Sequence, residues 1–200
     1  MPLDYPTNQR LVVLGQTQSG KSQYNKTVLV PDIERYIIWD IKYEYSGGKV
    51  VHTIPELKSA VTTKGCLKII YQPILGTNRI IEFRKVCKFI ILYIRGFTFI
   101  VDEVQMVAPN NKIPEEFKEI ITTGAALGIG CIALSQRPQL FDKTIMTQAE
   151  HVLVFFLSSK DLEYVEHYFD KGISWVKTAP KYSYVYYHAG VVETNPPLNL

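Results

Sequence analysis

The sequence predicts an α/β fold, a mainly parallel central sheet flanked by helices, and three observations carry that expectation. Short β-rich runs alternate with longer segments of helical spacing from end to end, the pattern of strand-helix-strand units. The apolar run Leu11-Val12-Val13-Leu14 leads straight into Gly15-Gln16-Thr17-Gln18-Ser19-Gly20-Lys21-Ser22, the strand, glycine loop and Lys-Ser helix start of a phosphate cradle. Farther on, Phe97-Thr98-Phe99-Ile100-Val101 ends in Asp102-Glu103, a buried-strand pattern delivering two carboxylates to one sheet edge. With 200 residues, 46% of them hydrophobic and 20% charged, the chain suits a single domain over residues 1–200.

Taken in order, strands are expected at 10–14, 35–39, 49–52, 67–71, 98–101, 130–134, 151–156 and 183–187, each a short run rich in β-branched or aromatic residues. Between them, helices are expected at 21–30, 55–62, 79–94, 114–126, 142–148 and 160–168. Pro55 and Pro114 suit first-turn positions, where the missing amide proton costs little. The stretch 85–99 is the most apolar, but Lys85, Lys88 and Arg95 interrupt it and Gly96 breaks it, as for a helix running into a buried strand. The alternating tyrosines of 182–187 fit a strand used for core or interface packing. Residues 194–200, with paired prolines, read as an extended C-terminal arm that is disordered or docks on a neighbour.

Composition narrows the function classes. A net charge of +3, from 22 basic and 19 acidic residues, neither demands nor excludes a polyanion partner. Cys66, Cys87 and Cys131 are far apart and set in apolar sequence, which predicts free buried thiols and a reducing intracellular setting. His52, His151, His167 and His188 show no metal-ligand spacing, so no structural metal is expected. The chain has no run of about 18 apolar residues, so no transmembrane segment is expected, and its first nine residues carry no signal-peptide pattern.

The motifs assign chemistry. Gly15 and Gly20 let backbone amides converge on the phosphates of a bound triphosphate, and the following helix adds the positive end of its dipole. Lys21 neutralises the β- and γ-phosphates, and Ser22 offers its hydroxyl to Mg²⁺. Asp102 holds the same ion through water, whereas Glu103 polarises the attacking water. The strand Gly130-Cys131-Ile132-Ala133-Leu134-Ser135 ends in Gln136-Arg137-Pro138, and Gln136 is expected to sense the γ-phosphate and relay its loss. A further strand ends in Asp40-Ile41-Lys42-Tyr43-Glu44-Tyr45, whose charged side chains lie on the nucleotide side, at a subunit boundary or on a solvated surface.

Together, Gly15 to Ser22, Asp40-x-Lys42-x-Glu44-Tyr45, Val101-Asp102-Glu103 and Leu134-Ser135-Gln136-Arg137-Pro138 resemble the ring-forming DNA translocases and packaging ATPases of the HerA and FtsK type. Within that superfamily the short chain looks most like the genome-packaging ATPases of archaeal turreted icosahedral viruses, over residues 10 to about 157. The resemblance implies a P-loop NTPase sheet of the additional-strand, catalytic-glutamate type, using ATP and Mg²⁺. It also implies a homo-oligomeric ring, a hexamer or similar, moving double-stranded DNA into a preformed capsid, with capsid or virion membrane proteins as further partners. The location implied is the host cytoplasm or the virion.

One departure from the family pattern stands out: Gly124-Ala125-Ala126-Leu127-Gly128 carries alanine where relatives commonly have a trans-acting arginine. Another arginine is therefore expected to act across the subunit boundary, with Arg79 and Arg84 first and Arg137 behind them. No dense basic stripe marks a DNA surface, but in a ring one lysine per chain, such as Lys112, can line a pore. Two other readings stand beside the motor. A small-molecule P-loop kinase would need an acceptor pocket and an arginine-bearing lid, and a nucleotide-regulated scaffold would bind without significant hydrolysis.

Overall fold

The computed structural model describes residues 8–62, 67–169 and 171–198. Strands β1 (Arg10–Leu14), β2 (Tyr36–Trp39), β3 (Lys49–Val51), β4 (Lys68–Tyr71), β5 (Phe97–Val101), β6 (Ile129–Ser135), β7 (His151–Val154), β8 (Tyr184–His188) and β9 (Val191–Asn195) form one sheet in the order β3-β4-β2-β5-β6-β1-β7-β8-β9. From β3 to β7 every neighbouring pair is parallel, and β8 and β9 close that side antiparallel. The sheet is thus mainly parallel, as the alternating pattern predicts, with β6 inserted between the loop-bearing β1 and the acid-bearing β5.

Period-2 alternation splits β1 between two cores. Val12 and Leu14 face one, with α3 (Ile54–Thr62), α4 (Arg79–Tyr93), α5 (Glu115–Thr123), α6 (Lys143–Thr147) and α7 (Ser159–Glu166) contributing Leu57, Phe83, Phe117, Ile145 and Leu162. Leu11 and Val13 face the other, covered by α1 (Lys21–Tyr24), a π-helical turn (Asn25–Leu29) and α2 (Val30–Asp32) through Tyr24, Leu29 and Val30. Among the described residues, this asymmetric cover leaves the helical segment that begins at the glycine loop as the one helical cover of its face. Phe83 anchors the thicker layer, 5.1 Å from the Trp39 ring and 5.0 Å from Phe117.

Several boundaries differ from the sequence expectation, for local reasons. Pro114 is the residue before α5 rather than its first helical residue, and the expected helical continuation to 126 tightens into a 3₁₀ turn, Gly124–Leu127, ended by Gly128 at φ 68°. Strand β9 was not foreseen. Ala189 and Gly190, with φ of 49° and 81°, form a two-residue turn that folds Val191–Asn195 back onto β8. Thr194 and Asn195, expected to begin the arm, therefore belong to this strand, and beyond them the Leu198 amide donates to Tyr182 O at 3.2 Å. Residues 199–200 lie outside the described residues. Of the tyrosines at 182–187, Tyr184 is core, against Tyr24 and Phe155, while Tyr182 precedes the strand. Cys87 is a buried free thiol and Cys131 is buried; Cys66 lies outside the described residues.

Candidate functional site

Strand register brings the sequence motifs to a single rim. Leu14 is level with Ser135, Val101 with Ala133 and Trp39 with Val101, so Gly15, Gln136, Asp102 and Asp40 all leave the sheet at the carboxyl ends of neighbouring strands. The loop is rooted in the strands on either side: Gly15 N donates to Ser135 O at 3.2 Å and Gln16 N to Phe156 O at 2.9 Å. Gly15 has no room for a side chain, since a Cβ there would lie 2.8 Å from the Phe155 Cβ, and Gly20 sits at φ 100°. Among the described residues no side chain caps α1; its first helical bond runs from Tyr24 N to Gly20 O at 2.8 Å, which leaves the amides of Lys21, Ser22 and Gln23 without intrahelical partners. Above them lies a cleft of about 410 Å³ lined by residues 16–23 with Lys42, Glu44, Gln136 and Tyr182.

On its floor sits a charge pair that protein atoms leave incompletely satisfied. Lys21 Nζ, 2% exposed, lies 3.9 Å from Asp102 Oδ1, and among the described residues neither it nor Asp102 Oδ2 has a hydrogen-bond partner. Burial pulls the Lys21 ammonium below its ordinary pKa despite Asp102 and Glu103, and pushes the Asp102 carboxyl up despite Lys21 and Lys42. Taking both charges out of water at that separation, without the hydrogen bonds that would offset it, costs several kcal/mol. Triphosphate oxygens on Lys21 and a hydrated divalent ion beside Asp102 would satisfy both groups, so these residues fit ATP and Mg²⁺. Among the described residues no cluster of three or more His, Cys, Asp or Glu side chains is placed to hold a metal, and Mg²⁺ needs none when Ser22, Asp102, waters and phosphates share it.

Glu103 stands next in the chain at φ 52° and ψ 53°, a left-handed conformation that costs a non-glycine residue about 1 kcal/mol or more, and its carboxylate meets Gln136 and Lys42, two of the residues that line the cleft. Gln136 Nε2 donates to Glu103 Oε1 at 2.5 Å, and Thr17 Oγ1 donates to Gln136 Oε1 at 2.6 Å, so Gln136 joins the glycine loop to the glutamate. Gln105 donates to the other Glu103 oxygen and receives the Ser135 hydroxyl at 2.8 Å; Lys42 forms an ion pair with Glu103 Oε1. Burial pushes the Glu103 carboxyl up, but Lys21, Lys42 and Gln105 outweigh it, leaving Glu103 below its usual range and ionised at neutral pH.

The Asp40 to Tyr45 segment, left open between three settings by the sequence, places Lys42 and Glu44 in the lining of the cleft. Asp40 is fully buried and acts structurally: its carboxylate accepts from the amides of Lys42, Glu44 and Tyr45 at 3.2, 3.2 and 3.1 Å and from Gln72 Nε2 at 3.0 Å. Gln105 and Tyr182 are additions that spacing alone does not reveal, because each reaches the site by a turn geometry rather than from a strand end. Arg79 and Arg84 do not line the cleft: Arg79 opens α4, and Arg84 is engaged with Glu116 of α5 at 3.0 Å. Arg137 follows Gln136 and is exposed.

Fold and rim together define a P-loop NTPase architecture. No family model matches the chain, and no curated protein is similar enough in sequence to match. Among solved structures, the genome-packaging NTPase B204 of Sulfolobus turreted icosahedral virus 2 in complex with AMPPCP superposes with a TM-score of 0.81 at 21% identity, covering 96% of this chain and 99% of that one. B204 of Sulfolobus turreted icosahedral virus, described as a DNA-packaging ATPase, gives 0.76 at 20% identity over 98% and 100% of the two chains. VirB4 of Thermoanaerobacter pseudethanolicus gives 0.71 at 11%, covering 96% and 89%. The match to the viral NTPases therefore runs over nearly the whole chain.

Proposed function

We propose that this chain is a Mg²⁺-dependent ATPase that assembles into a homo-oligomeric ring, a hexamer or similar, and drives double-stranded DNA through it to package a viral genome. The observation that carries the reading is the buried Lys21 and Asp102 pair with unsatisfied polar atoms beneath an uncapped helix start. In this reading the loop amides and Lys21 hold the β- and γ-phosphate oxygens. Glu103 accepts a proton from the attacking water, whose oxygen bonds to the γ-phosphorus as the bond to the β-phosphate oxygen breaks. Ser22 and, through water, Asp102 would hold Mg²⁺, whose charge would offset that of the phosphates. Gln136, bonded to both Thr17 and Glu103, is suited to report the loss of the γ-phosphate to both.

The missing trans arginine is assigned to Arg79 or Arg137, because Arg84 is already committed within its own chain. Lys112 is exposed in the loop after β5, where a ring can present it to DNA phosphates. The kinase reading is less favoured because Glu103 and Gln136 crowd the terminal-phosphate end with water-orienting groups. The scaffold reading is disfavoured by the ionised Glu103. Phosphate release measured with and without double-stranded DNA across protein concentration tests the proposal. The motor predicts DNA stimulation and a rise steeper than linear with concentration. Phosphorylation of a hydroxyl acceptor would favour the kinase, and ATP binding without turnover the scaffold.

A further inference from the structure

Protein donors take both acceptor positions of Glu103 Oε1 and one of those of Oε2, which closes Oε1 to a water. Oε1 takes Lys42 and Gln136, and Oε2 takes Gln105, so both carboxylate oxygens are engaged by protein donors. Gln136 and Gln105 are neutral and tied to Thr17 and Ser135, whereas Lys42 is a cation on a flexible stem with 30% of its side chain exposed. Its backbone is fixed, since the buried Asp40 carboxylate accepts the Lys42 amide and Tyr43 follows at φ 60°. The ammonium can therefore swing while its root stays put. Lys42 also lines the cleft together with the glycine loop and Gln136, with which it shares Glu103 Oε1.

We propose that Lys42 is a terminal-phosphate ligand that is shared with Glu103: in the empty site it holds the glutamate, and on triphosphate binding it moves to the γ-phosphate and frees Glu103 Oε1 for water. The inference rests on the nucleotide reading of the cleft. A terminal phosphate carries more charge than one carboxylate, so a nearby lysine gains by the exchange. A diphosphate lacks that group and leaves the pair closed. Lys42 is thereby a residue that distinguishes triphosphate from diphosphate, and a positioning residue for Glu103.

The test is equilibrium binding of ATPγS and of ADP, each with Mg²⁺, to wild type, Lys42→Met, Lys42→Arg, Glu103→Gln and the Lys42→Met/Glu103→Gln double variant. Lys42→Met should lose about tenfold in ATPγS affinity, the size of one charge-assisted hydrogen bond, with ADP affinity changed by less than about twofold. Lys42→Arg should restore most of the difference. Glu103→Gln, which releases Lys42 in advance, should bind ATPγS several-fold more tightly, and that gain should vanish in the double variant. Equal weakening of both nucleotides in Lys42→Met, no weakening of either, or a gain that survives in the double variant would each overturn the proposal. Wild type that binds neither nucleotide would overturn the nucleotide reading with it.

Discussion

Adding one methyl group at Gly15 probes the cradle with least disturbance elsewhere. The Cβ of Gly15→Ala would come 2.5 Å from Ser19 Oγ and 2.8 Å from the Phe155 Cβ. The serine hydroxyl can rotate away. Phe155 cannot, because its amide donates to Leu14 O at 2.8 Å and it continues β7 out of the sheet. The second contact falls 0.6 Å short of the 3.4 Å at which ordinary contact begins, so the loop must lift off its root. Overpacking of this kind costs about 1–3 kcal/mol, and under the proposed function, in which the loop supplies the phosphate-binding amides, the cost falls on binding as well as folding. At 1.4 kcal/mol per tenfold this amounts to roughly a 5- to 150-fold loss of ATPγS affinity. Calorimetric titration of both proteins, with denaturant unfolding alongside, measures it. Gly76→Ala, at φ 87° with nothing within 4 Å of the added carbon, is the control: it should cost stability through backbone strain and leave binding unchanged. Gly15→Ala binding within twofold of wild type would refute the argument that the loop is held rigidly between β6 and β7.

Three further outcomes are expected. At a concentration where the ring is assembled, alanine at Arg79 or Arg137 should lower turnover by about 10³-fold without loss of ATP binding, and alanine at Arg84 should leave it nearly unchanged; unchanged rates for all three would remove the trans-arginine assignment. Charge reversal at Lys112 should weaken DNA stimulation and its salt dependence while basal hydrolysis persists, and an unaltered salt dependence would exclude that residue from the pore. His151 is held near pKa 4, below the ordinary 6.5, by burial and by the stacked His188 ring at 4.1 Å, with Tyr186, Gln9 and Glu150 among its polar neighbours. The unfolded chain therefore binds more protons between those values, so stability should fall as pH drops from 6.5 toward 4. The fall should be smaller in His151→Gln, and equal slopes in the two proteins would contradict it.

Much of this architecture was legible because the signals were backbone-driven. Apolar runs ending in Gly15, Asp102 and Gln136 specify parallel strands whose tips converge, and the register delivers that convergence. What was not legible depended on turns. Ala189-Gly190 carries a hairpin that only its positive φ values disclose, and Glu103 stands on a left-handed backbone that no composition signals. Lys42 was visible as a charge near the site, but its partner was not, because the pairing depends on how Asp40 folds the turn before it. Arg84 looked available in sequence and is held by Glu116, a contact between α4 and α5 that lies 32 residues apart in the chain.

Single-turnover hydrolysis of prebound ATP in wild type and Glu103→Gln tests the central claim most directly. If the rim grips a triphosphate and Glu103 activates the water, the variant should hold ATP at least as tightly as wild type and release phosphate about 10²-fold or more slowly. Phosphate released from the variant at the wild-type rate would show that this carboxylate does not activate the water and would contradict the account.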